Sequence, residues 1–475
     1  MSVTVDLHEL AAQVHGLAGG AAGPARRLTV TGPRTFLPAA FDVTGLATAT
    51  VGAATLAAAE YHAARNSSEV AAVRVDSRGA CAAFAAEALF TPVGWSLPDI
   101  WDPVAGNYRA RDGWLRLHTN YAHHRAAVAT VLKADDRDAV RAAVSEWKAA
   151  DLEAAVVAAG GCAAVMHDRH EWLASAPGAA TADAPALTVT ERPLPAVLPA
   201  GASRAAGRAG QPYAGVRVLD LTRVIAGPIG TRFLAAYGAD VLRLDPPGFA
   251  EVGALLPETT AGKRSAAVDL RTPAGRAAFE RLVAGADVVV SGLRADALAR
   301  LGYDDAALTA LNPALIIASH NAYGWDGPWR DRRGFDSLVQ MSCGIAAAPG
   351  GDGPVPLPVQ ALDHATGYLL AAAVGRALTA RLTRGVAARV RASLAGTANL
   401  LWSFPRPADL GNLPPRPGPA EIPLVDTGTA WGPARRVPVP GEIHGITAEL
   451  RTEAGPLGRH EPAWLAGQRP SQSAT

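Results

Sequence analysis

Cysteine is scarce: Cys81, Cys162 and Cys343 are the only three in 475 residues, and none is spaced as C-x-x-C. This argues against a disulfide framework or a structural zinc site and fits a reducing, cytoplasmic setting. Lysine occurs only at Lys133, Lys148 and Lys263, so nearly all basic residues are arginine, and with so much Ala, Gly and Pro this reads as coding bias. An excess of charge of one sign is also missing, since 44 Lys and Arg face 43 Asp and Glu for a formal charge of +1. No electrostatic footprint for nucleic acid or an anionic membrane results, and the expected partners are small molecules or proteins. No stretch of 18 apolar residues occurs, and the N-terminus lacks a basic segment leading into an apolar run. A soluble intracellular protein is expected. Neither G-x-G-x-x-G nor G-x-x-x-x-G-K-[ST] is present, which speaks against a dinucleotide enzyme or a P-loop NTPase.

From Arg217 onward, short apolar strands alternate with helices: "VRVLDL", a helix from about Pro228 to Tyr237, "DVLRLD", "TPAGRAAFERLVAGA" with Thr272 as N-cap, "DVVVSG" and "ALIIAS". The alternation implies an α/β fold, a Rossmann-like mostly parallel sheet whose ligands bind beyond the carboxyl ends of the strands. Before it, "GNYRARDGWLRLHTN" reads as a hairpin and "DDRDAVRAAVSEWKAADLEAAVVAAGG" as helical, giving a smaller α+β domain. The division expected is a leading aspartate-helix element over residues 1–90 packing on the large domain, the small domain over 91–175 and a linker over 176–212. The large domain then covers 213–400, and a C-terminal extension covers 401–475. "LPAAFDVTGLATATVGAATLAAAEYHA" near the start echoes "LPVQALDHATGYLLAAAVGRALTARLT" near the end, each with an aspartate, Asp42 or Asp363, just before Thr-Gly. The pattern reads as one element present twice, with only one copy of the sheet.

The segments "GVRVLDLTRVIAGPIGTRFLAAYGADVLRLDPPG", "GKRSAAVDLRTPAGRAAFERLVAGADVVVSGLRADALARLGYDDAALTALNPALIIASHNAYGWDGPW", "GFDSLVQMSCGIA" and "ALDHATGYLLAAAVGRAL" together resemble family III CoA-transferases, the CaiB/BaiF group. The resemblance runs in order from Gly215 to about Thr397, and "GNYRARDGWLRLH" resembles that family's smaller domain, which here precedes the sheet instead of following it. It implies the CoA-transferase family III fold, a homodimer, coenzyme A or acyl-CoA as substrate with a carboxylic acid as acceptor, and no permanently bound cofactor.

The resemblance also implies roles for residues. Asp363 matches the nucleophile; a free carboxylate, with a pKa of about 3.9, is a weak nucleophile that must be held against the thioester. From the residues alone, Asp363 reads first as the N-cap of the following helix and only second as a catalytic group. Val224 and Ile225 fall where the family lays CoA against the backbone; Lys263, Arg264 and Arg271 would meet its phosphates, Val268 would flank the adenine, and Arg300 matches an arginine near the phosphates. Gly292 and Leu293 replace an Asn-Phe pair, and Asn321 stands where some members have a lysine near the thioester. Asp42 has no sheet of its own, so it reads as a helix cap or vestige, with a composite site as the alternative.

Two other readings stay open. Racemase relatives use a histidine in "GHD" as second base; this chain has "GFD" with Phe335 there, and His320 and His364 lie close by in sequence. A non-catalytic CoA-binding homologue is the other. His123 and His124 are neighbours expected to face different ways, which disfavours a metal pair, and no metal site is expected.

Overall fold

The computed structural model describes residues 6–195, 210–406 and 421–465. The leading unit runs strand, helix, strand, helix: β1 (Leu28–Thr31), α1 (Val43–Asn66), β2 (Val73–Asp76) and α2 (Ser77–Ala83). The two strands are parallel, from Leu28 opposite Val73 to Thr31 opposite Asp76. Helix α1 starts at Asp42, whose carboxyl accepts the Gly45 amide at 2.7 Å, and ends at Ser67 in the left-handed region, φ 51°. A small antiparallel sheet follows, β3 (Gly106–Arg109), β4 (Trp114–Leu117) and β5 (Ala163–Val165), with α3 (Ala122–Leu132) against it.

The main sheet has seven strands in the order β9-β8-β7-β10-β11-β12-β6. They are β6 (Leu187–Pro193), β7 (Arg217–Leu221), β8 (Asp240–Asp245), β9 (Arg264–Ala267), β10 (Val288–Ser291), β11 (Ile316–Asn321) and β12 (Val386–Ser393). Strands β7 to β12 are all parallel, which is the doubly wound order with its switch point between β7 and β10. Strand β6 closes the edge antiparallel to β12, with Leu187 opposite Ala392 and Pro193 opposite Val386. It lies in the stretch expected to be a linker, as does a helix over Ala176–Thr181; residues 196–209 fall outside the described residues. The alternation in "LTVTERP" carried the strand signal, and neighbouring Pro and Ala residues diluted it.

The connecting helices are α4 (Ala226–Ala236), α5 (Pro273–Ala284), α6 (Asp336–Ser342), α7 (Ala361–Arg384) and α8 (Leu394–Ser403). Thr272 caps α5 through the Gly275 amide at 3.0 Å, as its sequence implies. Strand β11, helix α7, strand β12 and helix α8 repeat the order of the leading unit, and Ser393 caps α8 as Asp76 caps α2. Helices α1 and α7 are buried on nearly every face and lie against one another, joined at one end by Arg376 and Glu60 at 2.5 Å. Alanine suits such an arrangement, because small side chains let two helices approach with most of their surface covered. Beyond the large sheet, Glu442–Ile443 pairs with β2 and Ala434–Arg436 with Thr91–Pro92, so the C-terminal segment returns to the leading unit. No described helix is long and apolar enough to cross a membrane.

Lys263 holds the first βα loop from inside. Its Nζ is fully buried, 2.9 Å from Asp220 Oδ2 and 2.8 Å from the Pro228 carbonyl, while Asp220 also accepts from the Thr222 amide and from Thr231 Oγ1 at 2.6 Å. Burial pulls the Lys263 pKa down to about 8, against the pull of Asp220 in the other direction. A buried charge that loses its partner leaves the other charge uncompensated. Lys263→Met should therefore cost about 3–5 kcal/mol in urea unfolding.

Helices α4 and α7 touch backbone to backbone, since a Cβ on Gly230 would lie 2.5 Å from the Gly367 carbonyl oxygen. Gly230→Ala is expected to cost about 1–3 kcal/mol of stability by overpacking, read from the same transition.

Candidate active site

A cavity of about 370 Å³ opens at the switch point, beyond the carboxyl ends of β7, β10 and β11. Val224 after β7, Gly292 and Leu293 after β10, and His320 and Asn321 at the end of β11 line it together with Asp363. Val224 takes φ 63°, an uncommon conformation for a β-branched residue, and its amide donates to Glu251 Oε2 at 3.2 Å. Glu251 is fully buried, pairs with Arg243 at 2.9 Å and accepts from the Tyr121 hydroxyl at 2.6 Å. The small domain is thereby tied to the first loop of the sheet, and Tyr121, His123 and His124 of that domain form one wall of the cavity.

Asp363 is the third residue of α7, so it is not the cap of its helix. The cap is supplied by Asp336: its Oδ2 accepts the amides of Leu362 at 2.8 Å and Asp363 at 3.0 Å, and Gln340 donates to its other oxygen. Among the described residues, no hydrogen bond is donated to the Asp363 carboxyl itself. Burial, then the nearby Asp336 and Glu87 carboxylates, holds the Asp363 pKa well above the usual carboxylate range. Burial raises Asp336 to about 6, against the effect of the amides it accepts. Asp363 is thus an unpartnered, desolvated carboxyl on a fixed backbone. The neighbouring His364 faces away from the lining, with Nε2 3.0 Å from Glu87 Oε2 and its ring stacked on Phe84.

Asp42 has the opposite surroundings. It caps α1 and pairs with both ends of the Arg34 guanidinium, at 2.8 and 2.5 Å, and is not among the residues lining the cavity.

The cavity gathers Asp363, Val224, Leu293 and Asn321 of the residues expected from sequence. Asn321 is committed to a turn, donating to Gly324 O at 2.6 Å and accepting from Gly324 N at 2.8 Å. Ile225, Lys263, Arg264, Val268, Arg271 and Arg300 lie outside the lining. Ile225 and Val268 are buried, Arg264 is forked onto Asp240 at 2.9 and 3.1 Å, and Arg271 and Arg300 make surface pairs with Asp269 and Asp296, each at 2.9 Å. The sequence reasoning missed Arg223, Arg294 and Arg333, which also line the cavity. Arg294 has no ion pair among the described residues, and Arg333 donates only to the Gly160 carbonyl, at 3.2 Å. Phe335, at the racemase histidine position, stacks flat on His118 with centroids 3.7 Å apart. His123 and His124, expected to face different ways, both line this cavity with rings 4.1 Å apart. Among the described residues, no cluster of three or more His, Cys, Asp or Glu side chains is arranged to hold a metal. Burial keeps His124, at about 3, and His320, at about 4, neutral at physiological pH.

In comparison with known proteins, residues 213–418 match the family described as CoA-transferase family III. Succinate–glutarate CoA-transferase of Agrobacterium fabrum is 34% identical over 241 residues, 44% of this chain and 60% of that protein. Formyl-CoA:oxalate CoA-transferase of Rhodopseudomonas palustris is 35% identical over 202 residues, 39% of this chain and 47% of its own. The chain therefore spans at most 60% of the length of these two relatives. Among solved structures, a CAIB/BAIF family protein from Brucella suis matches with 29% identity and a TM-score of 0.37, covering 47% of this chain and 65% of that one.

The raised Asp363 pKa carries a stability prediction. A carboxyl whose pKa is raised on folding binds its proton more tightly in the native state, so its contribution to stability falls as pH rises from the unfolded value of about 3.9 toward the folded one. Asp363→Asn removes that cost. It should be more stable than the parent at pH 8, with the margin shrinking toward pH 4, in urea titrations at both pH values.

Proposed function

We propose that this chain transfers CoA from an acyl-CoA thioester to a carboxylic acid, with Asp363 as nucleophile. The observation that carries the proposal is the Asp363 carboxyl, which lines the cavity at the sheet's switch point without a hydrogen-bond partner while Asp336 fixes its backbone. The family III match and the names of the relatives support the reaction class.

In the proposed reaction, an Asp363 oxygen attacks the thioester carbonyl, the C–S bond breaks, and CoA thiolate leaves a mixed anhydride. The thiolate then attacks the Asp363 carboxyl carbon, expelling the donor acid and forming an aspartyl-CoA thioester. The acceptor carboxylate attacks that carbon and releases thiolate, which finally attacks the acceptor carbonyl and frees Asp363. Proximity supplies most of the acceleration in such a sequence, since every step is an exchange between groups held in one site. Tyr121, His123 and His124 close the wall on the small-domain side, and the neutral His320 imidazole stands beside the charges that develop.

A second reading, exchange of the α-proton of an acyl-CoA, rests on the histidines that share the cavity with Asp363. In deuterated water without an acceptor acid, transfer predicts no deuterium at the α-carbon and racemisation predicts its incorporation.

Asp363→Ala should lower CoA exchange between an acyl-CoA and its free acid by about 1000-fold or more. Asp42→Ala should leave exchange within a few-fold while losing about 0.5–2 kcal/mol of stability through the lost cap. An Asp42 variant as inactive as the Asp363 variant would point to a composite site. Asp363 must be ionised to attack, so kcat/KM should rise with pH through its folded pKa. Glu87→Gln removes a nearby negative charge and should move that limb to lower pH, with the plateau little changed.

A further inference from the structure

We infer that a second pocket, behind the start of α6 and separate from the Asp363 cavity, binds a small oxyanion, a carboxylate or phosphate group, on Arg116 and Ser337. The pocket encloses about 200 Å³ between the small domain and α6. Arg116, on β4, lies with its guanidinium 4.8 Å over the Trp101 ring and donates from Nη1 to Asn107 Oδ1 at 3.0 Å. Its Nε is buried without an acceptor, and no carboxylate of the described residues comes within ion-pair distance of its guanidinium. Burial draws the Arg116 pKa down to about 10, an effect that the more distant Asp336 opposes without reversing.

A half-buried guanidinium whose Nε is shut off from water and unpaired favours an anionic partner. Water can satisfy its hydrogen bonds but cannot neutralise its charge. The groups beside it match an anion: Ser337 is 6% exposed with its Oγ unpartnered, and Asn107 Nδ2 has no acceptor among the described residues. Gln340, also in the lining, donates to the Asp336 carboxyl and accepts from the Leu357 amide, which fixes its orientation. No Asp or Glu lines the pocket. Arg116 Nε, the Ser337 hydroxyl and the Asn107 amide can all donate to one oxyanion, and the Gln360 amide in the lining can turn its NH2 toward it.

The pocket is independent of CoA chemistry, and its test does not require activity. Isothermal titration of the full chain with inorganic phosphate and, separately, acetate should show saturable one-to-one binding of at least one of them. Arg116→Met should weaken it about tenfold or more, and Ser337→Ala severalfold. Ser337→Ala removes a single oxygen and reads the site even where the Arg116 variant does not fold. Binding of phosphate alone assigns the pocket to a phosphorylated ligand, and of acetate alone to a carboxylic acid. Failure of both anions to bind saturably, or binding unchanged in the folded variants, overturns the inference.

Discussion

The hydrogen bonds from the Leu362 and Asp363 amides to the Asp336 carboxylate are the constraint on which the site depends. A helix leaves its first amides without internal partners, and an aspartate at its start ordinarily satisfies them with its own side chain. In α1 this is what happens, and Asp42 is consumed by the Gly45 amide and Arg34. In α7 the cap comes from another helix, α6, and the aspartate inside the helix keeps its carboxyl free. The same residue in the same local sequence thus becomes structural in one place and chemically available in the other.

The freedom of Asp363 carries an energetic cost that the surroundings increase. It is buried close to Asp336 and Glu87, both of which disfavour its ionisation. Burying an ionisable group without a partner lowers stability, and such groups concentrate where chemistry is done. The leading unit shares in this arrangement through Glu87, which holds His364 beside Asp363, and the small domain through Tyr121, which holds Glu251 under the first loop. The site is assembled from both ends of the chain.

Much of the large domain could be read from the sequence, since apolar strands between helices predict a parallel sheet and its ligand edge. The helix of Asp363 and the loop of Val224 were legible in the same way. Pairings remote in sequence were not: Asp336 meets Asp363 across a loop, and Tyr121 meets Glu251 across two domains. Lys263 looked like a phosphate contact because an exposed lysine and a buried one have the same letter, and only Asp220 beneath it shows which it is. Strand β6, which pairs with β12, was hidden because the Pro and Ala residues around it diluted its alternation.

The central claim is that Asp363, freed by Asp336, forms the covalent bond. Incubation with acyl-CoA followed by hydroxylamine, then peptide mass mapping, tests it directly. The account predicts a hydroxamate on Asp363 that depends on acyl-CoA, with none on Asp42. An unmodified Asp363 in protein that is turning over acyl-CoA, or a hydroxamate on another carboxylate, would contradict it.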